Sequence, residues 1–200
     1  MRLLAELHGT LVFDRRTRVL SERLAALLPE NARVLDVGCG DGSIDRLIAE
    51  RRPDVTLTGV DLIVRPETHI PVTQFDGQRI PFDDGAFDVV MFVDVLHHTE
   101  DPEILLAEAR RVAKRAVVLK DHTRDGLLAG PTLRFMDWVG NAPHGIPLPY
   151  NYWPERRWRQ AFAGLGLTPE VWLNKLDLYA APANWLFDRS LHFISRLNPA

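Results

Sequence analysis

A glycine-rich turn constrains the fold of this chain more than any other feature of its sequence. The stretch VLDVGCGDGSI runs from Val34 to Ile44 and places glycine at positions 38, 40 and 42. Glycine loses more conformational freedom on folding than any other residue, so three in one turn indicate a sharp bend or a close approach to a ligand. An apolar stretch precedes the turn and a helical pattern follows it. The turn therefore predicts a strand–turn–helix unit with a binding role.

Apolar periodicity along the first 120 residues predicts alternating helices and strands. Strands that alternate with helices pair in parallel through right-handed crossovers. We therefore expect a doubly wound, mostly parallel α/β sheet. The predicted helices are 16–28, 43–51 and a segment opened by Asp101 and Pro102, and the predicted strands are 33–37, 55–60, 87–93 and 116–119.

The pattern changes between residues 121 and 154, where glycine, proline and aromatic residues dominate. Long connections in compact domains are usually lids or binding loops, so we expect an inserted lid after the fifth strand, with a short helix at 132–139. A helix at 154–162 and two strands at 171–179 and 190–197 follow. We expect residues 1–200 to form one domain, with a helical N-terminal segment at 1–30.

Composition excludes several classes of protein. The chain has 200 residues, of which 46% are hydrophobic and 26% charged, as in ordinary soluble domains. The net charge of −3 argues against a general nucleic-acid partner, although a small basic group occupies 156–159. No apolar run is long enough to span a membrane, and no signal peptide is evident. Cys39 is the only cysteine and is expected to be merely a small residue of the turn, which favours a reducing, cytoplasmic setting.

Acidic residues near the turn indicate which ligand it binds. Asp36 stands two residues before Gly38, where it would repel a pyrophosphate but attract an ammonium group. The spacing is Gly-x-Gly-x-Gly, which differs from the dinucleotide fingerprint Gly-x-Gly-x-x-Gly. Asp61 ends the second strand and can hold ribose hydroxyls. The ligand suggested is an adenosine with an amino-acid arm. The alternative for the turn is a tight bend without a ligand, and the alternative for Asp61 is a helix cap. For the protein as a whole, the alternative is an NAD-dependent oxidoreductase.

Four segments, in order, resemble the class I S-adenosylmethionine (SAM)-dependent methyltransferases, in particular the small-molecule branch called type 11. They are VLDVGCGDG, LTGVDL, FDGQRIPFDDGAFDVV and VVMFVDVLHHTEDP, and they cover residues 33–119. The resemblance implies a Rossmann-like sheet of seven strands with the last one antiparallel.

The resemblance also implies SAM as cofactor and in-line transfer of its methyl group to a small-molecule acceptor, with an oxygen or carbon nucleophile favoured. A SAM-binding module without catalysis is the alternative. Asp76 could instead be only a turn residue. The residues implied are Asp36, Gly38 and Gly40 for the methionine arm, Asp61 and Leu62 for the ribose, Asp76 and Gly77 for the adenine, and Val93 and Asp94 near the sulfonium.

The stretch LKDH leaves the predicted fifth strand at the edge where the cofactor is expected. A base at this edge could take a proton from an acceptor hydroxyl, which makes His122 and Asp121 the candidate catalytic residues. The alternative interpretation is a solvated edge pair of Lys120 and Asp121.

Histidines and aromatic residues nearby could line the acceptor pocket or form a small core under the lid. Adjacent His97 and His98 are expected to point in different directions, and no ligand set stands at zinc spacing, so we predict no metal site. The pocket candidates are His98, His144, Tyr150 and Tyr152, with Trp138 and Trp153 beside them.

Overall fold

A seven-stranded sheet dominates the computed structural model, which describes residues 15–141 and 149–199, except for the side chains of residues 140 and 141. The strands are β1 (Arg33–Val37), β2 (Thr56–Asp61), β3 (Val72–Gln74), β4 (Phe87–Val93), β5 (Ala113–His122), β6 (Leu167–Leu173) and β7 (His192–Pro199). The helices are α1 (15–25), α2 (Ser43–Arg51), α3 (Pro102–Val112), α4 (Ala129–Asn141), α5 (Glu155–Gly164) and α6 (Asn184–Phe187), with a 3₁₀ turn at Leu96–His98.

The strand order is β3-β2-β1-β4-β5-β7-β6. β7 runs antiparallel to both of its neighbours, whereas the other pairs are parallel. The predicted doubly wound sheet with an antiparallel last strand is thus confirmed. The order reverses between β1 and β4, and the carboxyl ends of β1, β2, β4 and β5 meet at one edge. Ligands of open α/β sheets bind in the crevice at such a reversal.

Two apolar cores lie on opposite faces of the sheet, because successive residues of a strand point to opposite sides. Leu35 belongs to the core that contains α3 and α5, whereas its neighbour Val34 belongs to the core that contains α1 and α2. The near-continuous apolar run of β4 follows from this arrangement, since both of its faces are buried. This packing holds the carboxyl ends of the central strands in fixed positions.

Several predicted elements agree with the structure to the residue, among them β1, α2 and β4. The prediction of β6 at 171–179 was wrong, because the strand starts before Pro169 and ends at Leu173. Proline is tolerated there because β6 is an edge strand whose register shifts between Pro169 and Val171. β3, with only three residues, carries no periodic signal and was not predicted.

The segment between β5 and α5 contains α4, which is longer than the helix predicted at 132–139. Asp121 and His122 are the last residues of β5 and do not belong to the connection. None of the helices in the described ranges is long and apolar enough to cross a membrane.

Candidate active site

The glycine turn after β1 adopts the conformation that its sequence predicts. Gly38, Gly40 and Gly42 have φ angles of 78°, 61° and 76°, in the left-handed region that disfavours other residues. A Cβ on Gly38 would lie 2.6 Å from Cγ2 of Val95, so packing within the protein excludes a side chain there. A Cβ on Gly40 would meet no atom within 4 Å. The space above Gly40 is therefore open, which suits a ligand that lies against the backbone.

Two buried carboxyl groups lie behind the turn. Asp36 and Asp45 are 2% and 0% exposed, and no hydrogen-bond partner among the described residues reaches Oδ1 of Asp36 or either oxygen of Asp45. Burial, and then the neighbouring Asp45, raises the pKa of Asp36 well above its usual value. Burial likewise raises the pKa of Asp45 to about 6. Burial of two such carboxylates costs free energy unless the pair holds a proton or binds a cation.

Asp45 was missed by the sequence analysis, although a signal was present. It lies three residues before the buried Ile48, so both side chains belong to the inward face of α2. A carboxylate on the apolar face of a helix beside a glycine turn marks a polar site within the core.

Asp61, predicted to hold a ribose, also connects β2 to the glycine turn. Its Oδ2 accepts a hydrogen bond from the backbone N–H of Gly40 at 2.8 Å, and its Oδ1 accepts one from Ile63 at 3.1 Å. Each carboxylate oxygen has a further lone pair that can accept a hydrogen bond. Asp61 therefore remains suited to bind hydroxyl groups while it positions the turn.

Leu62 and Gly77, predicted to contact different parts of one nucleoside, lie against each other. A Cβ on Gly77 would be 2.9 Å from Cδ2 of Leu62. Leu62 is 53% exposed and forms an apolar surface beside Asp61. Asp76 accepts hydrogen bonds from the N–H groups of Gln78 and Arg79 at 2.8 and 2.7 Å, so it caps its own turn, and these contacts lower its pKa.

Val93 and Asp94 occupy the carboxyl end of β4, as predicted. The Asp94 carboxylate forms ion pairs with Lys120 and Arg16. Burial would raise the pKa of Asp94, but these two cations hold it well below its usual value. The side chain of Asp94 thus belongs to an internal ion-pair cluster. Its position near the sulfonium of the cofactor stays a prediction.

The alternative interpretation of Lys120 and Asp121 as a solvated edge pair is wrong, because both side chains are fully buried. Burial lowers the pKa of Lys120, although Asp94 opposes that shift. Nζ of Lys120 also lies 3.2 Å from Nδ1 of His192, which accepts its hydrogen bond.

Asp121 forms a buried pair with His97. Oδ1 of Asp121 lies 2.7 Å from Nδ1 of His97, and the carboxylate also accepts from the N–H groups of Leu96 and His122. Burial would lower the pKa of His97, but Asp121 and Asp137 raise it to about 10. Because a carboxylate can only accept, Nδ1 of His97 carries a proton. Asp121 thereby orients the ring so that Nε2 is on the side of Asp137.

His122 lies on the other side of the same cluster. Its Nε2 is 3.2 Å from Oδ1 of Asp94, and its buried Nδ1 has no hydrogen-bond partner among the described residues. Burial, together with Lys120, lowers the pKa of His122 to about 4, so the ring is neutral at pH 7. Asp94 favours the proton on Nε2, which leaves a lone pair on Nδ1.

The predicted pocket residues His98 and Tyr152 also join this cluster. The rings of His97 and His98 lie 4.1 Å apart, so the expectation that they point apart was wrong: the 3₁₀ turn brings them to one side. The Tyr152 hydroxyl donates to Asp137, and its ring stacks 5.4 Å from that of His97. Asp137, a carboxylate in the apolar stretch FMDWV, was missed by the sequence analysis.

The other residues predicted for the acceptor pocket do not lie together. Tyr150 lies 6.4 Å from the ring of Tyr152 in a small core under α4. Trp153 packs against the main core, 4.8 Å from Trp158. Trp138 is 59% exposed. His144 lies outside the described residues.

Comparison with known families identifies the family of this chain. Residues 12–170, most of the chain, match the family described as the methyltransferase domain. This chain belongs to that methyltransferase family. The predicted resemblance is therefore confirmed at the level of family.

Two curated relatives of this chain are methyltransferases named for small-molecule substrates. The 27-O-demethylrifamycin SV methyltransferase of Amycolatopsis mediterranei is 29% identical over 116 residues, which are 50% of this chain and 42% of that protein. The 2-methyl-6-phytyl-1,4-hydroquinone methyltransferase of Synechocystis is 28% identical over 143 residues, 66% of this chain and 40% of that protein. The chain thus matches less than half the length of these relatives.

A solved structure shows the same fold. The geranyl diphosphate C-methyltransferase of Streptomyces coelicolor aligns with a TM-score of 0.68 at 17% identity, over 90% of this chain and 80% of that one. That enzyme was crystallised with Mg²⁺, geranyl diphosphate and S-adenosyl-L-homocysteine.

Proposed function

We propose that this methyltransferase binds SAM at the carboxyl edge of β1 and β2 and transfers its methyl group to a small-molecule acceptor. The observation that carries the proposal is the buried pair Asp36 and Asp45, which lies behind an open glycine turn and in which Oδ1 of Asp36 and both oxygens of Asp45 have no hydrogen-bond partner among the described residues. The ammonium group of the methionine arm is a cation that these carboxylates can bind. The residues present therefore fit SAM.

The rest of the cofactor site follows the chain order of the predicted motifs. Asp61 would accept from the ribose hydroxyls with the lone pairs that Gly40 and Ile63 leave unused. Leu62, half exposed beside Gly77, would provide the apolar contact for the adenine. Asp76 would receive the adenine amino group, and Val93 and Asp94 would lie near the sulfonium.

When bound, SAM supplies an electrophilic methyl group. The residues of this chain orient the acceptor and exclude water around it. His122 is the proposed base, since its Nδ1 has an unshared lone pair and its ring is neutral. Asp121 has no free role as a base because it accepts from His97, Leu96 and His122; we propose that it positions His97 and His122.

The acceptor is proposed to lie between β5 and α4, against His98 and Tyr152. Tyr150 and His144 are further candidates for that pocket. Small-molecule substrates of the named relatives support an oxygen or carbon nucleophile. The net charge of −3 and the single cysteine support a cytoplasmic enzyme without a nucleic-acid partner.

Titration calorimetry of the full chain with SAM, with S-adenosylhomocysteine and with NAD tests the cofactor. We expect binding of the first two and none of NAD, and we expect D36N to weaken SAM binding at least tenfold. The matched control is D83N, which alters an exposed carboxylate far from the turn in sequence. Binding of NAD without SAM would overturn the proposal.

Catalysis is tested by release of S-adenosylhomocysteine in the presence of a panel of phenols, quinols, carboxylic acids and prenyl compounds. Product from a small acceptor supports the enzyme. Tight SAM binding with no product from any acceptor supports the alternative of a binding module.

A further inference from the structure

A cluster of potential metal ligands lies where the 3₁₀ turn, β5 and α4 meet. Nε2 of His97 is 3.5 Å from Oδ1 of Asp137, and Nε2 of His98 is 3.9 Å from the same oxygen. One ligand atom from each of the three residues lies within 4.8 Å of the others. His97 and Asp137 are buried and His98 is 18% exposed, so the cluster is close to solvent on one side only.

These separations suit a single small cation. Zinc binds imidazole nitrogen and carboxylate oxygen at about 2.1 Å, so two ligands at a tetrahedral angle are about 3.4 Å apart. The separations from Oδ1 of Asp137 to Nε2 of His97 and of His98, 3.5 and 3.9 Å, exceed that value by about 0.1 and 0.5 Å, so only a small adjustment of the side chains is needed for both to bind one ion. Nε2 of His97 is buried and makes no hydrogen bond with any described residue, so a metal ion that displaces the proton of this nitrogen would supply its missing partner.

The groups around the cluster are those that support metal ligands. A histidine ligand usually donates its other ring N–H to a carboxylate, which fixes the ring and its tautomer. His97 does this with Asp121 at 2.7 Å. The Tyr152 hydroxyl donates to Oδ2 of Asp137, which leaves Oδ1 facing the two histidines. Two of the three candidate ligands are thus held in orientation by neighbours.

A second grouping, Asp94 with His97 and His122, is less suited to a cation. The Asp94 carboxylate already forms ion pairs with Lys120 and Arg16, and a divalent ion beside these two cations would be repelled. The first grouping is therefore preferred.

We propose that His97, His98 and Asp137 bind one divalent transition-metal ion of the zinc class. Two imidazoles and one carboxylate are a ligand set that such ions accept, and three protein ligands leave a position for water or for an oxygen of the acceptor. The ion joins α4 to the carboxyl edge of the sheet. This assignment concerns residues apart from the proposed SAM site and does not depend on it.

Cobalt provides the test, because Co²⁺ replaces Zn²⁺ and gives visible absorption bands whose intensity reports its coordination. The tag-free full chain is treated with a chelator, dialysed and titrated with CoCl₂, and then with ZnCl₂ in competition. We expect bands between about 500 and 650 nm that saturate at one equivalent and disappear when zinc is added.

Variants distinguish the proposed ligands. D137N and H98Q are expected to weaken Co²⁺ binding at least tenfold and to change the spectrum, whereas H69Q, which alters an exposed histidine, is expected to bind like the unaltered protein. Circular dichroism confirms that each variant is folded; if one of the pair is unfolded, the other decides. Absence of stoichiometric binding, or unchanged binding in the folded D137N or H98Q, would overturn the proposal. SAM binding is measured separately, so its outcome does not affect this result.

Discussion

Nδ1 of His97 lies 2.7 Å from Oδ1 of Asp121, although 24 residues separate the two in sequence. His97 comes from the 3₁₀ turn after β4 and Asp121 from the end of β5, and the parallel pairing of these strands brings them together. The pair joins the predicted cofactor edge to the predicted acceptor side. It also supports the positioning role proposed for Asp121, because the carboxylate already accepts from His97, Leu96 and His122.

Removal of the Asp121 carboxylate is expected to destabilise the protein strongly. D121A leaves the N–H of Leu96 and the ring of His97 without their buried acceptor. We expect a loss of about 3–5 kcal/mol in the free energy of unfolding, measured by urea denaturation. The exposed D83N should change that value by less than about 0.5 kcal/mol. A loss no larger than that of D83N would contradict the role assigned to Asp121.

Substitution of alanine for Gly38 should mainly lower stability, whereas the same substitution at Gly40 should mainly weaken cofactor binding. G38A forces a Cβ to 2.6 Å from Val95, so it should lower the thermal stability clearly. G40A has room in the free protein and should cost only about 1–2 kcal/mol for its left-handed backbone. Its methyl group would enter the space proposed for SAM, so calorimetry should show a large loss of affinity. Normal SAM binding by G40A would place the cofactor elsewhere.

Asparagine at position 45 should stabilise the free protein while it weakens SAM binding. The pKa of Asp45 is raised from 3.8 to about 6, so its stabilising contribution is present below pH 3.8 and is lost as the pH rises through 6. D45N removes that loss and should add about 3 kcal/mol to the free energy of unfolding at pH 7.5, and only about 0.5 kcal/mol at pH 4. If D45N destabilises the protein at pH 7.5, then the Asp45 carboxylate has a stabilising partner in the folded protein, and the prediction is wrong.

SAM affinity should decrease as the pH falls through about 6. The raised pKa values of Asp36 and Asp45 mean that protonation removes the charge that binds the ammonium group. Asp61 and Cys39 are the other titratable groups near Asp36. We expect about tenfold weaker binding at pH 5 than at pH 7.5 and proton release on binding near pH 6, seen as a dependence of the calorimetric heat on the buffer. A flat affinity profile would exclude the pair as the ammonium site.

The buried ion pair of Asp94 and Lys120 should show strong coupling. K120M leaves a carboxylate that only Arg16 still neutralises, and should cost about 3–5 kcal/mol of unfolding free energy. The double variant D94N/K120M removes both charges and should recover much of this loss. Additive effects of the two single variants would show that the pair does not interact as the structure indicates.

The glycine turn and the positions of the acidic residues beside it could be predicted from the sequence because their signals are local. The glycines at 38, 40 and 42 impose a backbone that few other residues adopt, and Asp36 and Asp61 are fixed in space because they lie at the carboxyl ends of β1 and β2. Periodicity likewise located β1, α2 and β4, since burial of their faces repeats along each element. A short edge strand such as β3 has too few residues to repeat a pattern, and Pro169 obscured the start of β6.

Other contacts of the candidate site join distant segments of the chain, and only the tertiary structure shows them. Asp137 reaches His97 from α4, Arg16 reaches Asp94 from α1, and Asp45 faces Asp36 from α2. The sequence by itself predicted the family, the mostly parallel sheet with an antiparallel last strand and the position of the glycine turn. Tertiary packing decided which carboxylates remain uncompensated and which are paired, because the energy of a buried charge depends on the groups that folding brings within a few ångströms of it.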